Sequence, residues 1–115
     1  MKILIIDDND DFLEIFSTKL TQAGFQVTTA KDGEDGIRQA KLINPDLILL
    51  DIEMPGIDGM ETLSRFRADP MTSEMRIVFL TNYEAMRKEI GAIEYIKKGG
   101  DLDKVIDEIK GLLKT

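Results

Sequence analysis

Leu47-Ile48-Leu49-Leu50-Asp51-Ile52-Glu53-Met54-Pro55-Gly56-Ile57-Asp58-Gly59 is an apolar run that stops at a carboxylate and passes at once into Pro and Gly. Consecutive apolar residues fit a strand covered on both faces, and the Pro-Gly stretch fits a tight loop. The reading is a buried strand that delivers Asp51 to its own carboxyl end. In open parallel sheets that edge is where ligands bind. A lone aspartate there more often caps the strand or accepts hydrogen bonds from the turn. Asp51 therefore gains meaning only from what else reaches the same edge.

Two further runs have the same character. Ile3-Leu4-Ile5-Ile6 ends at Asp7-Asp8, and Ile77-Val78-Phe79-Leu80 ends at Thr81. Phe25-Gln26-Val27-Thr28-Thr29-Ala30 is a β-branched strand, and Ile93-Glu94-Tyr95-Ile96 is a short fifth one leading into Lys97-Lys98-Gly99-Gly100. Helical periods fill the intervals. Phe12, Ile15, Phe16, Leu20 and Ala23 form one apolar face closed by Gly24, with Asn9, Asp10 and Asp11 as candidate caps and Glu14 placed to complete a capping box with Asp11. Asp32-Gly33 opens a second helix carrying Ile37, Ala40 and Leu42 until Asn44-Pro45. Asp58 caps a third with Glu61 three residues on, burying Met60, Leu63 and Phe66. Residues 84–90 make a weak helix of barely two turns, and the last helix, capped by Asp101, places Leu102, Val105, Ile106, Ile109, Leu112 and Leu113 on one face. Strands alternating with helices imply an α/β fold with a parallel sheet covered on both sides.

On that topology the strand ends converge. Asp7 and Asp8, Asp51, Thr81 and Lys98 come to one edge. Adjacent carboxylates repel unless a cation lies between them or one is protonated, and a hard divalent ion such as Mg²⁺, or Mn²⁺, suits an all-oxygen donor set. By itself such an acidic run is more often a solvated loop. A cation held by carboxylates, an exposed aspartate, a hydroxyl and an ammonium together suit a phosphoryl group, whose phosphorus the Asp51 oxygen can attack.

Composition excludes much else. The chain has 115 residues, no Cys and no His, so it has no disulfide framework, no thiolate or imidazole metal site and no histidine general base. A net charge of −7 argues against direct nucleic-acid binding. The apolar runs are far too short for a membrane helix, and Met1-Lys2-Ile3-Leu4 shows no signal-peptide cleavage site, so the expectation is one cytoplasmic domain over 1–115.

The chain resembles the receiver domains of two-component response regulators, particularly the single-domain chemotaxis regulators. The resemblance rests on Asp7-Asp8, Asp51 with Met54-Pro55-x-x-Asp58-Gly59, Thr81, Gly91-Ala92-x-x-Tyr95 and Lys98. It implies a flavodoxin-like (βα)5 fold, doubly wound, with strand order 2-1-3-4-5. It further implies that a histidine kinase or phosphotransfer protein phosphorylates Asp51, the domain catalysing its own phosphotransfer and dephosphorylation rather than acting as a conventional enzyme. By the same resemblance Asp8, Asp51 and the Glu53 backbone carbonyl hold Mg²⁺, with Asp7 assisting through water. Thr81 and Lys98 bind the phosphoryl oxygens, and Tyr95 turns inward with Thr81 to switch a surface read by a downstream protein. The family spacing, with the aromatic three residues before the lysine, selects Lys98 over Lys97.

Four departures stand out. Gly99 replaces the usual proline after the lysine, and Asn82 replaces a small residue after Thr81. Glu53 and Tyr83 occupy the positions that tune hydrolysis. The interval from Thr81 to Gly91 is short by roughly five residues, about one and a half turns, so the fourth helix is shortened. Two other readings compete with a phosphorylated switch lacking its own output domain. A flavin carrier on the same architecture would need a phosphate-binding loop where Asp7-Asp8 stands. A receiver-like scaffold would bind partners without phosphorylation, and the full set of acids, Thr81 and Lys98 speaks against it.

Overall fold

The computed structural model describes residues 1–54, 56–81, 95–98 and 101–113, with the backbone alone at Thr81, Tyr95 and Lys97. The described strands are β1 (Lys2–Ile6), β2 (Gln26–Ala30), β3 (Leu47–Asp51), β4 (Ile77–Thr81) and β5 (Tyr95–Lys97). All pair in parallel in one sheet of order β2-β1-β3-β4-β5. The helices are α1 (Asp10–Gln22), α2 (Gly33–Ile43), α3 (Gly59–Ala68) and a last helix (Leu102–Leu113). The short helix read over 84–90 lies outside the described residues, as do Asn82, Tyr83, Gly91 and Gly99.

The continuous apolar runs fold as strands because both faces of the sheet are buried. Ile3, Ile5, Leu47, Leu49, Val78, Leu80 and Ile96 face α1 and the last helix, where Leu13, Phe16, Leu20, Val105, Ile106 and Ile109 meet them. The alternate residues Leu4, Ile6, Ile48, Leu50, Ile77 and Phe79 pack with Ala40 of α2 and Phe66 of α3. Strand alternation thus divides one chain of aliphatics between two cores.

Local polar groups set the helix ends. Asn9 caps α1 by accepting from the Phe12 N–H at 3.0 Å; neither Asp10 nor Asp11 does so, and both stand in the first turn, where their charge opposes the helix dipole's positive end. Asp32 and Asp58 cap α2 and α3. The Asp101 side chain accepts from the Asp103 N–H at the start of the last helix. Gly24 follows α1 at φ +100, a conformation that favours glycine.

Three apolar expectations fail. Ile15, Leu42 and Met60 are exposed at 54%, 71% and 39%. In α1 the buried stripe is centred on Leu13, Phe16 and Leu20, and Ile15 falls past its edge. In α2 and α3 the positions closest to the sheet hold small residues, because the helices approach closely. A Cβ on Gly36 would meet Ile6 Cδ1 at 2.4 Å, and one on Gly59 would meet the Asp51 carbonyl at 2.5 Å. Gly33, Gly36, Ala40, Gly59 and Thr62 are buried where a sequence reading looks for large side chains.

Candidate functional site

In this sheet order the chain passes from β1 outward to β2, then returns by way of α2 to β3 on the other side of β1, so the crevice at the carboxyl ends of β1 and β3 is the topological switch point. Ile6 pairs with Leu50, so the next residues, Asp7 and Asp51, are neighbours across the strands. Both continue the odd-numbered series that faces α1 and the last helix. Asp51 pairs with Leu80 and Leu80 with Ile96, and Lys98, two residues past Ile96, returns to the same side.

Asp7 is fully buried and Asp51 nearly so, while Asp8 is exposed. One carboxylate oxygen from each of the three lies within 4.8 Å of the others. Asp7 Oδ1 accepts from the Asn9 N–H at 2.9 Å, and Asp51 Oδ1 accepts from the Glu53 N–H at 3.3 Å. Lys98 Nζ stands 2.6 Å from Asp7 Oδ2 and 3.5 Å from Asp51 Oδ2. Against Asp7 the distance is that of a close ion pair, and among the described residues the Lys98 ammonium is the group that meets buried Oδ2. Lys98 Nζ also lies 4.7 Å from the centroid of the Phe12 ring.

Among the described residues one lysine stands against three acids, which leaves this cluster short of positive charge. Burial, then the Asp7 carboxylate, push the Asp51 carboxyl from 3.8 up to about 6, against the pull of Lys98 and the Glu53 N–H. Lys98 is held above the usual lysine range. Burial opposes this, but its contact with Asp7 and the charges of Asp51 and Asp7 outweigh burial. The donor set is all carboxylate oxygen, three acids face one described lysine, and the central acid is costly to ionise. These residues fit a hard divalent cation.

The structure therefore brings Asp7, Asp8, Asp51 and Lys98 together. The Glu53 peptide lies against Asp51 through its N–H. Thr81 ends β4 beside Lys97, and Tyr95 pairs with Phe79; the side chains of Thr81 and Tyr95 lie outside the described atoms. Sequence reading assigned Phe12 to the core alone and missed its contact with Lys98. The signal was its place in the first turn of α1, directly after the acids.

The family model of the response regulator receiver domain matches residues 3–110. The chain belongs to that family. It is 33% identical over 118 residues to the DNA-binding dual master transcriptional regulator RpaA of Synechocystis, covering 98% of this chain and 49% of that protein. It is 31% identical over 117 residues to sporulation initiation phosphotransferase F of Bacillus subtilis, covering 97% and 93%. Among solved structures it is similar to the response regulator TrrA of Thermotoga maritima in complex with Mg²⁺-BeF, with a TM-score of 0.85 and 33% identity over 97% of this chain and 98% of that one. The chain spans about half the length of the first curated relatives it matches. Among the described residues no helix is long and apolar enough to cross a membrane. The flavodoxin-like fold and the receiver assignment stand, and the cluster of Asp7, Asp8 and Asp51 fits a phosphoacceptor site. A scaffold working without phosphorylation is not favoured, since it would have no use for a buried, undercompensated acid pair.

Proposed function

We propose that Asp51 is the phosphoacceptor of this receiver domain and that a histidine kinase or phosphotransfer protein is its donor. The observation that carries the reading is Asp51 itself: a nearly buried carboxylate at the switch point, flanked by two acids and one ammonium. With its carboxyl near 6 it is largely ionised at neutral pH and able to attack phosphorus. An Asp51 oxygen forms the new P–O bond as the P–N bond to the donor's imidazole breaks. That nitrogen keeps the bonding pair and takes up a proton. In dephosphorylation the oxygen of a water bonds phosphorus as the P–O bond to Asp51 breaks, Asp51 leaves as carboxylate, and phosphate and a proton are released.

Asp8, Asp51 and the Glu53 carbonyl would hold Mg²⁺ or Mn²⁺, with Asp7 behind them. When bound, the ion neutralises charge on the transferring phosphoryl oxygens. Asp7 keeps Lys98 at the site, and Lys98 supplies a fixed positive charge to one phosphoryl oxygen. Thr81 is the hydroxyl partner of another, and Tyr95 with Thr81 relays the state to a downstream protein. The backbone supports this by putting Thr81 at the end of β4, beside β3, and Tyr95 on β5, beside β4. With a net charge of −7 the domain does not itself engage nucleic acid. Incubation with a small phosphodonor and Mg²⁺ should add one acid-stable, base-labile phosphoryl group by intact mass, and Asp51→Asn should abolish it. A label that survives the substitution rules Asp51 out.

A further inference from the structure

We propose that Phe12 is a positioning residue: its ring face holds the Lys98 ammonium beside Asp7 and Asp51. The functional consequence rests on the reading of Lys98 as a phosphoryl-binding group; the contact itself does not. Lys98 reaches the site on the side of β5 that faces α1, and Phe12 stands in the first turn of α1. The Nζ to ring-centroid distance of 4.7 Å is within the reach of a cation–π contact, about 6 Å.

The ring is well placed to aim something else. Its centroid lies 5.1 Å from that of Phe16, which is fully buried, with the planes tilted by 33°. Its backbone N–H is tied to the Asn9 side chain, and the Asn9 N–H is tied to Asp7 Oδ1. Asp7, Asn9, Phe12 and Lys98 therefore form a closed circuit, because Lys98 Nζ returns to Asp7 Oδ2. Within that circuit Lys98 has two kinds of link, the 2.6 Å ion pair to Asp7 and the face of the Phe12 ring. In sequence, Gly99 and Gly100 follow Lys98 and carry no side chain to brace it.

The ring matters most when the charges change. A cation among the carboxylates, or a phosphoryl group on Asp51, redistributes the attraction that Asp7 and Asp51 exert on Lys98. A neutral aromatic face is untouched by either event, so it keeps the ammonium at the edge through both. A plain core role for Phe12 would require only volume, which Leu also supplies.

Two measurements separate these roles. In wild-type protein without phosphodonor, the Lys98 Hε protons should be shielded by the ring current, with and without Mg²⁺. Phe12→Leu should remove the shielding and Phe12→Trp restore it. Unshifted Hε protons in wild type would overturn the contact, and this reading stays decisive even if Asp51 accepts no phosphoryl group. Replacing Phe12 by mono-, di- and trifluorophenylalanine preserves shape while draining the ring face of negative charge. Self-phosphorylation from a small phosphodonor should slow stepwise, by about fivefold at trifluorophenylalanine, with the melting temperature unchanged. Equal rates across the series would overturn the positioning role.

Discussion

The two edges of the sheet handle charge in opposite ways. At the carboxyl edge, among the described residues, buried Asp7 and Asp51 share one lysine with exposed Asp8 close by. At the amino edge each of several charged groups has its own partner in the open. The Lys2 N–H donates to Asp46 Oδ2 at 2.7 Å and its Nζ to the Ile43 carbonyl, Arg67 Nη1 donates to the Ser73 and Met75 carbonyls, and Lys41 Nζ lies 2.6 Å from Asp69 Oδ2. Two aspartates show the consequence. Asp51 is pushed up to about 6 by burial and by Asp7, whereas Asp69 is held below the usual carboxylate range by the Lys41 hydrogen bond and the Met71 N–H. The amino edge spends its charges on stability; the described carboxyl edge retains a deficit of positive charge that a cation can fill.

The contrast breaks most visibly at Gly59, where α3 begins against the end of β3. A side chain there would meet the Asp51 carbonyl at 2.5 Å and Ile52 Cα at 2.6 Å, both backbone atoms. Gly59→Val should cost about 4 kcal/mol in urea unfolding, the upper end for a substitution that forces backbone apart. Lys98→Met comes next. It leaves buried Asp7 and Asp51 without their cation and should cost about 3 kcal/mol. It should also move the Asp51 carboxyl further above 6, as carboxyl NMR titration would read.

Asp51→Asn should act in the opposite sense. A raised native carboxyl means that the unfolded chain ionises first, near 3.8, so the charge penalises the fold as pH rises from there to about 6. Without divalent metal the variant should be more stable than wild type by about 2–3 kcal/mol at pH 7.5, from a shift of about two units at 1.36 kcal/mol each. The advantage should shrink through pH 6 to 4 and vanish below. Asp69 has the reverse sign: its depressed carboxyl stabilises above the ordinary value and loses this as pH falls through its folded one. Lys41→Ala should move the Asp69 carboxyl up toward the ordinary range by NMR, the Met71 N–H still holding it somewhat low, and leave the melting temperature little changed, as for a largely solvated pair.

Much of this was legible in sequence, for physical reasons. Burial on both faces makes β1, β3 and β4 continuous apolar runs, and their endings at Asp7, Asp51 and Thr81 expose the edge directly. The choice of Lys98 over Lys97 also follows from alternation, since Ile96 faces the α1 side and Lys98 shares its parity. Helix faces were harder. In α1 the residues Phe12, Leu13, Ile15 and Phe16 are all apolar, and only packing on the sheet selects Leu13 and rejects Ile15. α2 and α3 approach through glycine, so two of their large apolar residues, Leu42 and Met60, mislead. The complete burial of Asp7 and the ring contact of Lys98 depend on distances across the fold, which no local pattern carries.

The described carboxyl edge carries a charge deficit that a divalent cation would fill. Urea unfolding at pH 7.5, with and without about 10 mM Mg²⁺, tests this in wild type and Asp51→Asn. Wild type should gain about 1–2 kcal/mol, as for a site that is half filled at roughly a tenth of that concentration, and the variant less than about half as much. A wild-type stability indifferent to Mg²⁺, or an equal gain in Asp51→Asn, would contradict it.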